Sequence, residues 1–160
     1  MKQKQTERTN VMRLLDRAGI EFKEHCYADT DAISGLDVAA ALNENQDQVF
    51  KTLVAVGHTG AHYVFVVPVS CGLSLRKAAI AVHEKSIEMI KQKELLPLTG
   101  YIHGGCSPIG MKKQFVTVVD ETAELFDTIM VSAGKIGYQI ELAPDDLKKV
   151  CPLEFADISE

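Results

Sequence analysis

The chain has 160 residues, 46% of them hydrophobic and 24% charged, and a formal net charge of −5 at pH 7. That length can build one domain with a full core, and no run approaches the roughly 20 apolar residues of a membrane-spanning helix. The acidic balance argues against a general nucleic-acid coating protein, so neither DNA nor a membrane is an expected partner. The first ten residues, MKQKQTERTN, are polar and lack the apolar stretch of a signal peptide, which makes a cytoplasmic location the expectation.

In chain order, residues 6–18 read as a helix that Thr6 or Thr9 can cap and Gly19 stops, with Val11, Leu14, Leu15 and Ala18 on its apolar face. Residues 20–27 alternate like a strand. ADTDAISG is a polar turn, residues 35–42 a short helix, and NENQDQ a second polar break. Residues 49–56 (VFKTLVAV) and 63–69 (YVFVVPV) form a hairpin around GHTGAH, with Pro68 expected at a strand end. Residues 75–82 are helical behind a Ser74 cap, whereas 85–96 fit either a helix or a strand followed by a helix.

Residues 99–110, TGYIHGGCSPIG, carry four glycines and Pro108 and form a loop rich in backbone N–H groups. Beyond it, 115–119 is strand-like, 120–126 helical, 128–132 a strand, and Ala133-Gly134-Lys135 a turn into a strand over 136–142. Pro144 opens a last helix with Asp145 and Asp146 in its first turn. About six strands and five helices without strict βα alternation predict a single α/β (α+β) domain over residues 1–160.

The chemistry-bearing candidates narrow quickly. Gly105 and Gly110 have P-loop spacing, but Met111 and Lys112 follow instead of Lys and Ser or Thr, and Pro108 removes a donor. There is no GxSxG elbow, and His58 and His62 fall in the hairpin turn; His103, close to the loop, is kept as a base candidate. Cys26, Cys71, Cys106 and Cys151 are scattered, without CxxC pairs or zinc-ligand spacing, so no metal site or disulfide framework is expected. Lys51 interrupts the apolar run VFKTLVAV on the same face as Val49 and Leu53, and points either to a strand edge or into a pocket. Ser132 closes a strand before a turn.

VFKTLV, KSIEMI…LLPLTGYIHGGCSPIGMKK, VSAGKIGYQIELAPDDL and a closing ADI together resemble the YbaK/EbsC family, over most of the chain from Tyr27 to Ile158. The resemblance implies the editing-domain fold associated with prolyl-tRNA synthetase, a mixed, mostly antiparallel sheet or partial barrel flanked by helices. It also implies trans-editing: removal of cysteine from mischarged Cys-tRNA(Pro), with Cys-tRNA(Cys) as a further candidate substrate, with no metal or cofactor and in transient complex with the synthetase. The mechanism it implies is attack of the substrate's own thiol on the ester carbonyl. By the same resemblance, Lys51, Gly104 and Ser132 are catalytic, and Tyr27, Gly105, Cys106, Ser107, Pro108 and Gly134 bind substrate. The loop GGCSP matches the family's GxxxP and offers backbone donors to an oxyanion. Gln139 stands where family members can carry an aspartate, and Ile33 lies nearest to an aromatic position of the family. Two alternatives stay open: a deacylase for another small amino acid, such as Ala-tRNA(Pro), and a non-catalytic module that binds a 3′ end or an amino acid.

Overall fold

The computed structural model describes residues 8–160. Helix α1 (Asn10–Arg17) starts at Thr9, whose Oγ1 accepts a hydrogen bond from the Met12 N–H at 3.2 Å. Thr6, the other cap candidate, lies outside the described residues. Ser74 caps α3 (Leu75–Ala81) in the same way, as expected, and so does Ser34, read from sequence only as part of a polar turn, for α2 (Gly35–Ala41). Strand β1 (Lys23–Cys26) is shorter than its alternating stretch. The ambiguous 85–96 segment resolves into a strand, β4 (Ile87–Met89), and a helix, α4 (Gln92–Thr99), which runs through Pro97 and stops at Gly100 in the left-handed conformation (φ 84°). The segment after the Gly-rich loop gives β5 (Val116–Asp120) and then a short 3-10 helix (Glu121–Leu125) rather than an α-helix.

The hairpin strands β2 (Phe50–Gly57) and β3 (His62–Pro68) pair antiparallel, with Pro68 at the strand end as expected. His62 belongs to β3 and not to the turn; its ring packs 6.0 Å from that of Phe115. They lie within a five-stranded sheet of order β4-β2-β3-β5-β8, in which β5 joins β3 in parallel and β8 (Leu153–Ala156) joins β5 in parallel. Strand β8, after helix α5 (Pro144–Val150), was not among the six expected strands. A second, antiparallel sheet has the order β1-β7-β6, with β6 (Ile129–Ser132) and β7 (Tyr138–Leu142). Mostly antiparallel pairing in a mixed sheet holds as predicted.

The two sheets close on one core. Phe50, Val54, Val64 and Val66 of the hairpin pack with Ile129, Val131, Ile140 and Leu142 of the second sheet, and α1 adds Val11, Met12 and Leu15. At one corner the sheets touch through backbone: Val49 bridges Met130 in parallel, and the Met130 N–H donates to the Gln48 carbonyl at 3.0 Å. Gln48 Nε2 also donates to the Thr128 carbonyl at 2.7 Å. Past this bridge β2 and β6 no longer pair, and a cavity opens between them.

Residues 158–159 are held by one carboxylate. Asp120, fully buried, accepts from the N–H groups of Ile158 and Ser159 at 3.0 Å each through Oδ1, and from the Thr122 hydroxyl at 2.6 Å through Oδ2. The closing ADI thereby places Ile158 in the core beside Phe65 and Val118. Burial alone would raise the Asp120 pKa, but these hydrogen bonds overcome it and hold it below the ordinary 3.8. A depressed folded-state pKa gives stability that is complete above the ordinary value and lost as pH falls through the folded one. Asp120→Ala should therefore lower unfolding free energy by about 2–4 kcal/mol at pH 7. In urea titrations the gap to wild type should narrow on acidification below the ordinary carboxylate range; a gap independent of pH would contradict this role.

Candidate functional site

The cavity between β2 and β6 has a volume of about 380 Å³. Its position follows from the corner bridge: Lys51 lies two residues past Val49 on one strand, Ser132 two residues past Met130 on the other, and both side chains line the opening. The α2 region closes a third side with Ile33, Leu36 and Val38, and the Gly-rich loop closes the fourth with His103, Gly104 and Cys106. Tyr27, at the end of β1, completes the wall.

Lys51 therefore takes the pocket reading rather than the strand-edge one. It is half-buried and makes no ion pair or hydrogen bond with any described residue, so its ammonium is available to a ligand. Ser132 serves two ends at once. Its Oγ accepts from the Gly134 N–H at 3.1 Å, shaping the turn, and its hydroxyl proton remains to be donated to a ligand oxygen.

The loop divides into a wetted part and a backing. Gly104 takes φ 89°, a conformation glycine adopts without strain, and a Cβ there would meet Ile33 Cγ2 at 3.0 Å. The N–H groups of Gly104 and Cys106 have no acceptor among the described residues, whereas that of Gly105 is spent on the Ile102 carbonyl at 3.0 Å. Gly105, Ser107, Pro108 and Gly134 do not line the cavity. Gly105 packs against the backbone of Lys135 and Ile136, Ser107 Oγ accepts from the Ile109 N–H at 3.3 Å, and Pro108 is buried. Gly134 makes room for Tyr101: a Cβ there would stand 2.9 Å from its ring. The Tyr101 hydroxyl in turn donates to the Ile109 carbonyl at 2.5 Å, which ties the loop's two limbs together.

Electrostatics removes one nucleophile from the wall. Burial pushes the Cys106 thiol up to about 12, so it stays protonated at neutral pH and is a poor nucleophile. Burial likewise raises the Tyr27 phenol above its ordinary value. No group of three His, Cys, Asp or Glu side chains among the described residues is arranged to hold a metal ion. His103 is exposed at the mouth.

Three lining or adjacent residues escaped the sequence reading. Thr52, next to Lys51, and Gln139, opposite Ser132 in the β6–β7 ladder, both line the cavity. Glu44, from the polar break NENQDQ, folds back behind Gln139, with its Oε2 3.9 Å from His25 Nε2. Gln139 was visible as a departure from a family pattern; nothing in NENQDQ signals that one of its acids turns inward.

Comparisons with known proteins identify the family of this chain. The sequence model of the aminoacyl-tRNA editing domain matches residues 30–150. An Enterococcus faecalis protein with the provisional name Cys-tRNA(Pro)/Cys-tRNA(Cys) deacylase EbsC is 43% identical over 159 residues, covering 99% of this chain and 97% of its own. Among solved structures, hypothetical protein APE2540 superposes with a TM-score of 0.85 at 22% identity, over 94% of this chain and 99% of its own. A candidate trans-editing enzyme for prolyl-tRNA synthetase superposes with a TM-score of 0.79 at 25% identity, over 94% of both chains. With its cavity, its glycine loop and these matches over nearly its whole length, the chain belongs to the aminoacyl-tRNA editing domain family.

Proposed function

We propose that this protein is a trans-editing deacylase that removes cysteine from mischarged Cys-tRNA(Pro), and also from Cys-tRNA(Cys). The observation that carries the reading is the pairing, across one cavity, of an unengaged cation (Lys51) with unengaged backbone donors (Gly104, Cys106) and no ionised nucleophile between them. Such a wall orients an ester and stabilises an oxyanion, and it suits a reaction whose nucleophile comes with the substrate.

The cysteinyl thiol attacks the carbonyl carbon of its own ester. The carbon–oxygen bond to the terminal ribose breaks, and the thiol proton ends on the departing ribose hydroxyl, so that a cyclic thiolactone and free tRNA leave the site. Lys51 holds the 3′-terminal phosphate or ribose. The Gly104 and Cys106 N–H groups take the developing oxyanion, Ser132 and Tyr27 border the ester, and Gly105, Ser107, Pro108 and Gly134 keep the loop in the shape that aims those donors. The site is small, and net charge is −5, so tRNA affinity comes in part from a transient complex with prolyl-tRNA synthetase in the cytoplasm.

Lys51→Ala should lower kcat/KM on Cys-tRNA(Pro) by roughly 10²–10³-fold at an unchanged melting temperature. Gly104→Ala should cost about 10–10²-fold by shifting the loop, and full activity in that variant would remove the loop from the mechanism. In a panel of Cys-tRNA(Pro), Cys-tRNA(Cys) and Ala-tRNA(Pro), the two thiol-bearing esters should be cleaved and the alanyl ester spared. Comparable cleavage of Ala-tRNA(Pro) would favour water attack, and no cleavage of any ester would favour a binding module. Binding of tRNA(Pro) should tighten when prolyl-tRNA synthetase is added; equal affinity with and without it would dismiss the complex.

A further inference from the structure

Two buried polar atoms of residues that line the cavity have no hydrogen-bond partner among the described residues: Oε1 of Gln139, a residue 3% exposed, and Oγ1 of Thr52. Beside Gln139 stands a third group unmatched among the described residues, the Glu44 carboxylate, whose side chain is 6% exposed and whose oxygens are both buried without a hydrogen bond. The basic side chain beside it is already engaged: His25 Nε2 lies 2.8 Å from Glu141 Oε1, against 3.9 Å from Glu44 Oε2. Glu141 is further held by the Thr128 hydroxyl at 2.5 Å. Buried acceptors without donors are costly and uncommon, and here two of them line one binding cavity while a third stands behind Gln139.

We propose that Gln139, Thr52 and Glu44 form the subsite for the α-ammonium group of the aminoacyl ester. Gln139 and Thr52 touch the ammonium and accept its N–H bonds; Glu44, one layer behind, is a positioning residue that stands behind the Gln139 amide and supplies the negative charge. An ammonium carries one positive charge, which matches Glu44 in sign, and three donors, two of which Gln139 and Thr52 take. Burial raises the Glu44 pKa, an effect that the Gln139 amide and the His25 ring only partly offset, and an incoming cation favours the charged form. The subsite rests on the deacylase reading and refines it: a free α-amino group becomes a condition for binding, so N-acylated esters, peptidyl-tRNA included, are refused.

The test uses stable amide analogues of the aminoacylated 3′ end, 3′-cysteinylamino-3′-deoxyadenosine and its desamino counterpart bearing a 3-mercaptopropionyl group. Calorimetric titration of the wild type should show the amine-bearing analogue bound roughly 10–10²-fold more tightly. Glu44→Gln, nearly isosteric and free of the buried charge, should bring the two affinities within about threefold of each other while leaving the desamino analogue's affinity unchanged. Gln139→Leu should do the same, with a melting curve to confirm that it folds. Equal affinities in wild type, or full discrimination in Glu44→Gln, would overturn the subsite. Discrimination without cleavage of Cys-tRNA(Pro) would keep the subsite and reject the deacylase.

Discussion

The contact on which the site depends is the parallel bridge between Val49 and Met130. A single bridge, supported by the Gln48 side chain, joins two sheets at a corner and lets their strands diverge at once. Divergence leaves two lips, one bearing Lys51 and the other Ser132. Because the hydrophobic core lies on the inner side of both sheets, the opening can be polar without weakening that core. The cavity is thus a consequence of how the barrel fails to close.

Local chemistry carried much of the architecture. Thr9, Ser74 and Pro144 mark helix starts by side-chain acceptance or by a ring nitrogen with no N–H to satisfy, effects confined to one turn. The hairpin was legible because branched residues and turn glycines act over a few positions. Strand β8 was not, since Leu153–Ala156 is short and half-exposed and is fixed by pairing with β5 and by the grip of Asp120 on the residues that follow. Both constraints come from over thirty residues away in the chain, as the 38-residue separation between Asp120 and Ile158 makes plain.

The site shows the same division. Lys51 was suspect because a cation in an apolar strand is a local contradiction, and the structure resolves it with a cavity. The Gly-rich loop was legible as a loop, but not which of its faces points inward. That is decided by Ile102, which takes the Gly105 N–H, by Ile136 and Lys135, which cover Gly105, and by Tyr101, which fills the space beside Gly134. Glu44 is the extreme case. In a run of polar residues every member reads as solvated, and only the fold of the turn after α2, which sets Glu44 beside His25 and Gln139, buries this one.

The burial of Cys106 also bears on chemical compatibility. Attack by a cysteine on an ester runs through the thiolate, and a thiol whose pKa is pushed up to about 12 presents almost none at neutral pH. A wall thiolate would otherwise be a hazard beside the ester proposed above, because its attack on the carbonyl carbon would release the ribose hydroxyl and leave the aminoacyl group on the wall as a thioester. Held protonated by its surroundings, Cys106 gives the cavity a soft, compact surface and takes no part in such acyl transfer.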